Sequence, residues 1–208
     1  MSESRTSPRR SNDRFVSVSE ILPAADVCPL AARHTKRHAV NGFMQIDPED
    51  LEVRPFKLIL KDWMLITAGP PEGFNTMTAG WGGMGALWSK HICFCVIRPQ
   101  RYTYEFMERE EHFTLSFFEE QYRPALELCG SKSGRDIDKT AAAGLTPVPG
   151  VLPGTTCFAE ARMVIECRKI YFQDVDPRNF LDPTIHEWYP EKDYHRMYVG
   201  EVVNVLVK

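Results

Sequence analysis

The chain has 208 residues, 43% hydrophobic and 25% charged, ordinary values for a folded domain with a sizeable core. A net charge of -3 gives no broad electrostatic reason to bind nucleic acid or an anionic membrane, and no apolar run reaches bilayer-spanning length. The six cysteines include no C-x-x-C pair and have no partner at finger-like spacing, so buried reduced thiols are expected rather than a metal site. No hydrophobic leader stretch lies near Met1, which makes the cytoplasm the expected compartment, with no membrane partner.

Residues 1–43 stand apart from the rest. Ser7-Pro8-Arg9-Arg10-Ser11-Asn12-Asp13-Arg14 is typical of them: polar, basic and without sustained apolar periodicity. Such a segment buries too little surface to offset its ordering entropy, so a flexible extension, or a stretch upstream of the true start, is expected. Arg9-Arg10 lacks the apolar segment of a twin-arginine signal, and the basic cluster at 33–38 is expected to be solvated.

The folded domain is expected over residues 44–208. Strand signals appear at 56–60, 63–68 and 76–81, with Gly69-Pro70-Pro71-Glu72-Gly73 as a turn between the last two. The continuous apolar run 91–97 predicts a strand covered on both faces. Thr103 is placed to cap a helix over 104–111, and 113–117 alternates like a half-buried strand. Tyr122, Ala125, Leu126 and Cys129 fall on one helical stripe, with Pro124 in the first turn and Gly130 as the stop. Ser133 to Asp136 has capping-box spacing for a short helix closed by Gly144, and 147–153 reads as loop.

A long strand is expected over 161–172. Asp176-Pro177 and Asp182-Pro183 each open a short helix. The last strand, 197–207, has Val199, Val203, Val205 and Val207 on one face. Six or seven strands with two or three inserted helices, without a βαβ rhythm, predict a mainly β fold: an antiparallel barrel plus α.

The chemistry concentrates around Asn75-Thr76-Met77-Thr78-Ala79-Gly80-Trp81-Gly82-Gly83-Met84-Gly85-Ala86-Leu87-Trp88. Its glycines allow close backbone approach, and backbone N–H groups beside a flat apolar wall suit a planar heteroaromatic ligand. The stretch resembles the ligand-binding segment of the flavin reductase-like, FMN-binding split-barrel family, in particular its flavoredoxin-like branch. Arg98-Pro99-Gln100-Arg101-Tyr102-Thr103 matches the R-P-Q-R-Y-T of that branch. Ser131-Lys132-Ser133-Gly134-Arg135-Asp136-Ile137-Asp138-Lys139 contains its S-G-R-x-x-D-K. The likeness covers about residues 44–208.

The resemblance implies a Greek-key split barrel that binds FMN and forms a homodimer with flavin sites at or near the subunit interface. It implies that Asn75, Thr76, Met77, Thr78 and Ala79 line the ring and ribityl chain. Trp81 or Trp88 would stack on or border the ring, or else belong to the core or a dimer interface. Two segments compete for the phosphate, the Arg98–Thr103 turn and the 129–139 segment, each pairing cations with a helix start. Arg98, Arg101, Tyr102 and Thr103 come from the first; Ser131, Lys132, Ser133, Gly134, Arg135 and Lys139 come from the second. Ser133 and Thr103 are equally placed to cap helices, and Asp136 or Asp138 to pair with Arg135 or Lys139.

From His195 onward the chain also resembles the family's D-H-x-x-x-x-G-E-V pattern, although Tyr194 intervenes between Asp193 and the histidine. His195 is thereby a candidate beside flavin or nicotinamide, or a strand-start residue bonded to local backbone. Hydride transfer to flavin N5 needs no protein nucleophile, so the absence of a catalytic triad is consistent with redox chemistry. No G-x-G-x-x-G fingerprint is present, so NAD(P)H would be a transient co-substrate. Three readings follow: an NAD(P)H-dependent flavoprotein oxidoreductase, an electron carrier reduced by a redox protein partner, or a barrel that stores or senses flavin.

Overall fold

The computed structural model describes residues 39–208, in which a nine-stranded antiparallel sheet curls into a half-barrel flanked by three helices. The extension expected over residues 1–43 lies outside the described residues as far as position 38. Positions 39–43 belong to the first hairpin, β1 (Ala39–Val40) and β2 (Phe43–Ile46), where the Phe43 ring is buried in the core.

The remaining strands are β3 (Met64–Ala68), β4 (Asn75–Ala79), β5 (Gly82–Leu87), β6 (Lys90–Ile97), β7 (His112–Phe117), β8 (Pro147–Pro149), β9 (Thr156–Phe158), β10 (Met163–Asp174) and β11 (Arg196–Val207). The helices are α1 (Tyr102–Arg109), α2 (Arg123–Ser131) and α3 (Lys139–Ala143). The sheet runs β1-β2-β11-β10-β7-β3-β4, with β6 on β11 and β5 on β6; β8 and β9 form a separate ribbon. β11 carries the curl: β10 covers one edge throughout, while the other edge pairs first with β6 and then with β2. Among the described residues β4 ends the sheet with one free edge.

Several expectations are corrected. The run 56–60 is a helical turn, Pro55–Lys57, continuing as a π-turn, Leu58–Asp62. Phe56 and Leu60 are exposed while adjacent Leu58 and Ile59 are buried, a helical and not an alternating pattern. β7 is buried on both faces instead of one. Residues 82–87 and 147–149, the latter expected as loop, are strands. On β11, Val203 is the extra residue of a bulge between Asn204, opposite Glu166, and Val202, opposite Cys167, so it faces outward away from buried Val199 and Val205.

The core has two clusters, one on each side of the sheet. The larger packs Met77 and Ala79 with Phe106, Phe113, Phe117 and Tyr198. The smaller packs α2 through Ala125, Leu126 and Cys129 against Leu65, Phe118 and Phe158. Cys93 and Cys95 are both buried, as are the other three described thiols. Glu166 is fully buried but satisfied: it accepts from the Val151 and Leu152 N–H groups, the Thr155 hydroxyl and the Asn204 amide. It thereby ties the 150–155 loop onto β10. Among the described residues no helix is long and apolar enough to cross a membrane, and no His/Cys/Asp/Glu trio is arranged to hold a metal.

Candidate functional site

The free edge of β4 is the spine of the site. Thr76 pairs with Thr67 on β3, yet its carbonyl accepts a hydrogen bond from Lys139 Nζ, so it points to the open side. Strand geometry gives Thr78, two residues on, the same outward backbone polarity. Three recesses adjoin this edge.

The middle recess is the smallest, about 100 Å³, and lies between the start of α1 and residues 131–134. Arg101 is the N-cap residue of α1, and its Nη2 donates to the Gly130 carbonyl at 2.7 Å. Lys139 is buried, only 4% exposed, and its Nζ donates to the carbonyls of Thr76 and Cys129. Burial above all, with a contribution from Arg101, pulls the lysine down from 10.5 to about 8. Burial, then the charge of Arg98, likewise lowers Arg101.

Among the described residues neither cation makes a salt bridge. Both cations face one small pocket that no carboxylate lines, beside the start of α1. Lys132 lines the rim and is exposed.

The walls of this waist are locked together. Asn75 Nδ2 donates to Thr103 Oγ1 at 2.7 Å, joining β4 to α1. A Cβ on Gly134 would stand 2.1 Å from Asn75 Oδ1, so only glycine lets the 132–138 segment lie there. The Thr78 hydroxyl donates to the Leu126 carbonyl, fixing β4 to α2.

A second recess, about 610 Å³, meets the waist at Ser131 and reaches along Thr78 to Trp81 and Trp63. Trp63 sits at φ 65°, with its indole under the Arg123 guanidinium at 4.3 Å. A Cβ on Gly80 would come within 2.9 Å of that indole. The Trp81 indole is backed by Trp188 at 5.3 Å and by the His195 imidazole at 5.1 Å. His195 Nδ1 is 2.9 Å from the Tyr189 hydroxyl. Burial first, then the Arg98 charge, against a smaller opposing effect of Asp193, lowers His195 from 6.5 to about 4, so it is neutral at neutral pH. The third recess, about 510 Å³, lies beyond Gly134 and Lys139, between residues 71–76 and 134–140.

The structure brings Asn75, Thr76, Thr78, Trp81, Arg101, Tyr102, Thr103, Ser131, Lys132, Ser133, Gly134 and Lys139 to this groove. Arg135 is at its rim, where its guanidinium lies over Tyr102 at 4.5 Å and pairs with Glu105. Met77 and Ala79 send their side chains into the core instead, leaving only backbone to the groove.

Arg98 is not brought to the waist: Nη1 donates to Asp193 at 2.7 Å and Nη2 to the Trp188 carbonyl at 2.7 Å. Trp88 lies elsewhere, 5.8 Å from Tyr171. Thr103 is not a cap but the buried acceptor of Asn75, and Asp138, not Ser133, caps α3. Ser133 Oγ accepts from the Arg135 N–H. Sequence reading missed Trp63, Trp188 and Tyr189; the density of aromatic residues over 180–195 was the available signal.

The split half-barrel with a groove along an edge strand defines the class, and comparison gives the family. Residues 59–208 match the model of the flavin reductase like domain, and the chain belongs to that family. Among solved structures, flavoredoxin of Desulfovibrio vulgaris (Miyazaki F) is 24% identical, with a TM-score of 0.54 over 70% of this chain and 69% of that one. An FMN-binding domain of a flavin reductases-like enzyme from Shewanella baltica is 16% identical, TM-score 0.57, covering 82% and 79%. The NADH:FAD oxidoreductase of Streptomyces globisporus C-1027 is 17% identical, TM-score 0.54, covering 71% and 74%. These likenesses share the fold. No match was found among curated proteins.

Proposed function

We propose that the chain binds FMN in this groove and works as a flavin-dependent oxidoreductase, reduced by NADH or NADPH and passing electrons to oxygen, free flavin or a protein. The observation that carries this reading is the pair of unmatched cations, Arg101 and Lys139, at the waist of a groove in a flavin reductase-like chain. Those two, with Lys132 at the rim and the hydroxyls of Ser131 and Ser133, hold the phosphate through charge-assisted bonds. The outward backbone of Thr78 meets the polar edge of the ring, and Trp63 and Trp81 give the flat apolar surface.

When bound, FMN supplies hydride and electron acceptance that no side chain here provides. His195 stays neutral and holds Trp81 in place from behind. We further propose that the protein pairs as a homodimer through the exposed apolar patch bearing Leu87, Trp88 and Tyr171, a proposal that light scattering of the purified protein tests.

The decisive experiment for activity is an anaerobic titration of FMN-loaded protein with NADH and with NADPH. Bleaching of the flavin band by either nucleotide alone supports the oxidoreductase. Bleaching only when a redox protein is added reassigns the chain to electron carriage. A protein that takes up no FMN ends both readings.

A further inference from the structure

Trp63 holds a backbone conformation that almost no residue but glycine adopts. It ends the π-turn at φ 65° and ψ 171°, where a Cβ is crowded by its own backbone, and such strain persists only where the surroundings fix it. The strain falls on a bulky indole that lines the 610 Å³ recess with Thr78, Gly80 and Trp81. Gly80 yields the space the indole needs: a Cβ there would stand 2.9 Å from Trp63 Cδ1 and 3.1 Å from Nε1.

Arg123 does the fixing. Its guanidinium lies 4.3 Å from the indole centroid, and Nη2 donates to the Lys61 carbonyl at 2.6 Å, just ahead of the strained residue. Neither contact serves α2, which Arg123 opens, since a cation in the first turn opposes the helix dipole. Nor is the arginine held by a close ion pair. Asp62 is taken by Lys57 at 2.6 Å and by Arg162 at 3.3 Å, and Glu120 is exposed and reaches Arg123 only at 3.5 Å. Arg123 Nη1 is buried with no hydrogen-bond partner among the described residues. The π cloud of Trp63 is the surface that compensates it. The same helix also fixes the floor of the recess, where the Thr78 hydroxyl donates to the Leu126 carbonyl.

We propose, on the flavin reading above, that Arg123 is a positioning residue that holds Trp63 as the wall against which the flavin ring lies. It acts through the indole and not on the phosphate.

Calorimetric titration of the full chain with FMN and with riboflavin at pH 7 tests it, using wild type, Arg123→Met, Arg123→Lys, Trp63→Ala and the double variants. Riboflavin has the ring without the phosphate, so a displaced wall weakens both ligands alike. Arg123→Met is expected to weaken FMN and riboflavin by the same factor, about tenfold, and to leave their ratio within about twofold of wild type. In the Trp63→Ala background the same change adds no more than about twofold, because residues that act as one pair are not additive. Arg123→Lys keeps the charge but not the flat plane and weakens both ligands by about threefold or more, so it carries the test if the methionine variant does not fold. In the ligand-free chain the Trp63 indole N–H resonance moves in either Arg123 variant. An unmoved resonance, unchanged affinities, or a loss as large in the Trp63→Ala background as in wild type overturns the proposal and leaves the flavin reading intact. A loss confined to FMN assigns Arg123 to the phosphate and overturns it as well. Uptake of neither flavin by wild type overturns the flavin reading and this inference with it.

Discussion

Arg98 and Arg101 begin and end one short turn, yet they meet opposite fates. Arg98 is matched: Asp193 takes one side of its guanidinium, the Trp188 carbonyl the other, and the Tyr189 ring lies 5.2 Å away. Arg196 is matched in the same way, between Asp174 at 2.6 Å and Glu108 at 2.9 Å. Arg101 and buried Lys139 donate only to backbone carbonyls. Arg101 and Lys139 are kept at a desolvation cost without a carboxylate partner among the described residues, and the proposed phosphate would supply the missing counter-charge. The difference separates residues that hold the 176–195 loop from residues proposed to hold a ligand, although sequence spacing treats them alike.

The comparison breaks most visibly in a double variant. Arg101→Gln with Lys139→Met is expected to weaken FMN binding by more than about 100-fold, because two charge-assisted contacts are lost. Its thermal midpoint stays level or rises, since mutually repelling cations have been removed. Calorimetry and a thermal melt read the two effects, and a large drop in stability without loss of affinity would reverse the assignment.

Next in size is the effect of pH. Lys139 is held near 8 in the folded chain against 10.5 ordinarily, so the unfolded chain binds more protons between those values. The ligand-free protein therefore gains stability as pH rises through that window. Flavin affinity behaves oppositely: level just below pH 8, it falls by up to about tenfold per pH unit above it, as Lys139 loses the proton the phosphate needs. His195 adds an acidic limb. Its folded value near 4 lies below its ordinary 6.5, so stability falls as pH drops between the two.

Asp193→Asn sharpens the matched side. It unpairs Arg98 and is expected to lower the melting midpoint by roughly 3 °C while FMN affinity stays within about twofold. The smallest effect belongs to Trp188→Ala. With its backing gone, the Trp81 indole resonance shifts and the KM for NADH rises by about threefold, while FMN affinity is unchanged. An unmoved Trp81 resonance would remove the loop from any part in shaping the groove.

The residues that build the half-barrel were largely legible because their patterns are local. β3, β6, β7, β10 and β11 announce themselves as apolar or alternating runs, and Gly144 ends α3 at φ 66° as its position suggests. The run 56–60 was not legible, since five apolar-rich residues fit a strand or a helical turn equally well and Pro55 tips it toward the turn. Val203 was misplaced because a bulge shifts the alternation by one residue.

At the site, motif spacing drew attention to Arg98, Arg101 and Lys139 together. It named Asp193 only beside His195 and gave no link to Arg98, which Asp193 approaches across the fold, making its role different. The Asn75 amide closing on Thr103, and the glycine at 134 that makes room for it, are likewise products of tertiary approach. Local chemistry names the cations, and only the folded chain says which of them are already matched.

The central claim, that Arg101 and Lys139 wait for a phosphate, is tested most directly by comparing FMN with riboflavin, the same ring without the phosphate, in one calorimetric series at pH 7. Wild type is expected to prefer FMN by at least about 100-fold, and the Arg101→Gln, Lys139→Met variant to bind the two alike. Equal affinity of wild type for FMN and riboflavin would contradict the account.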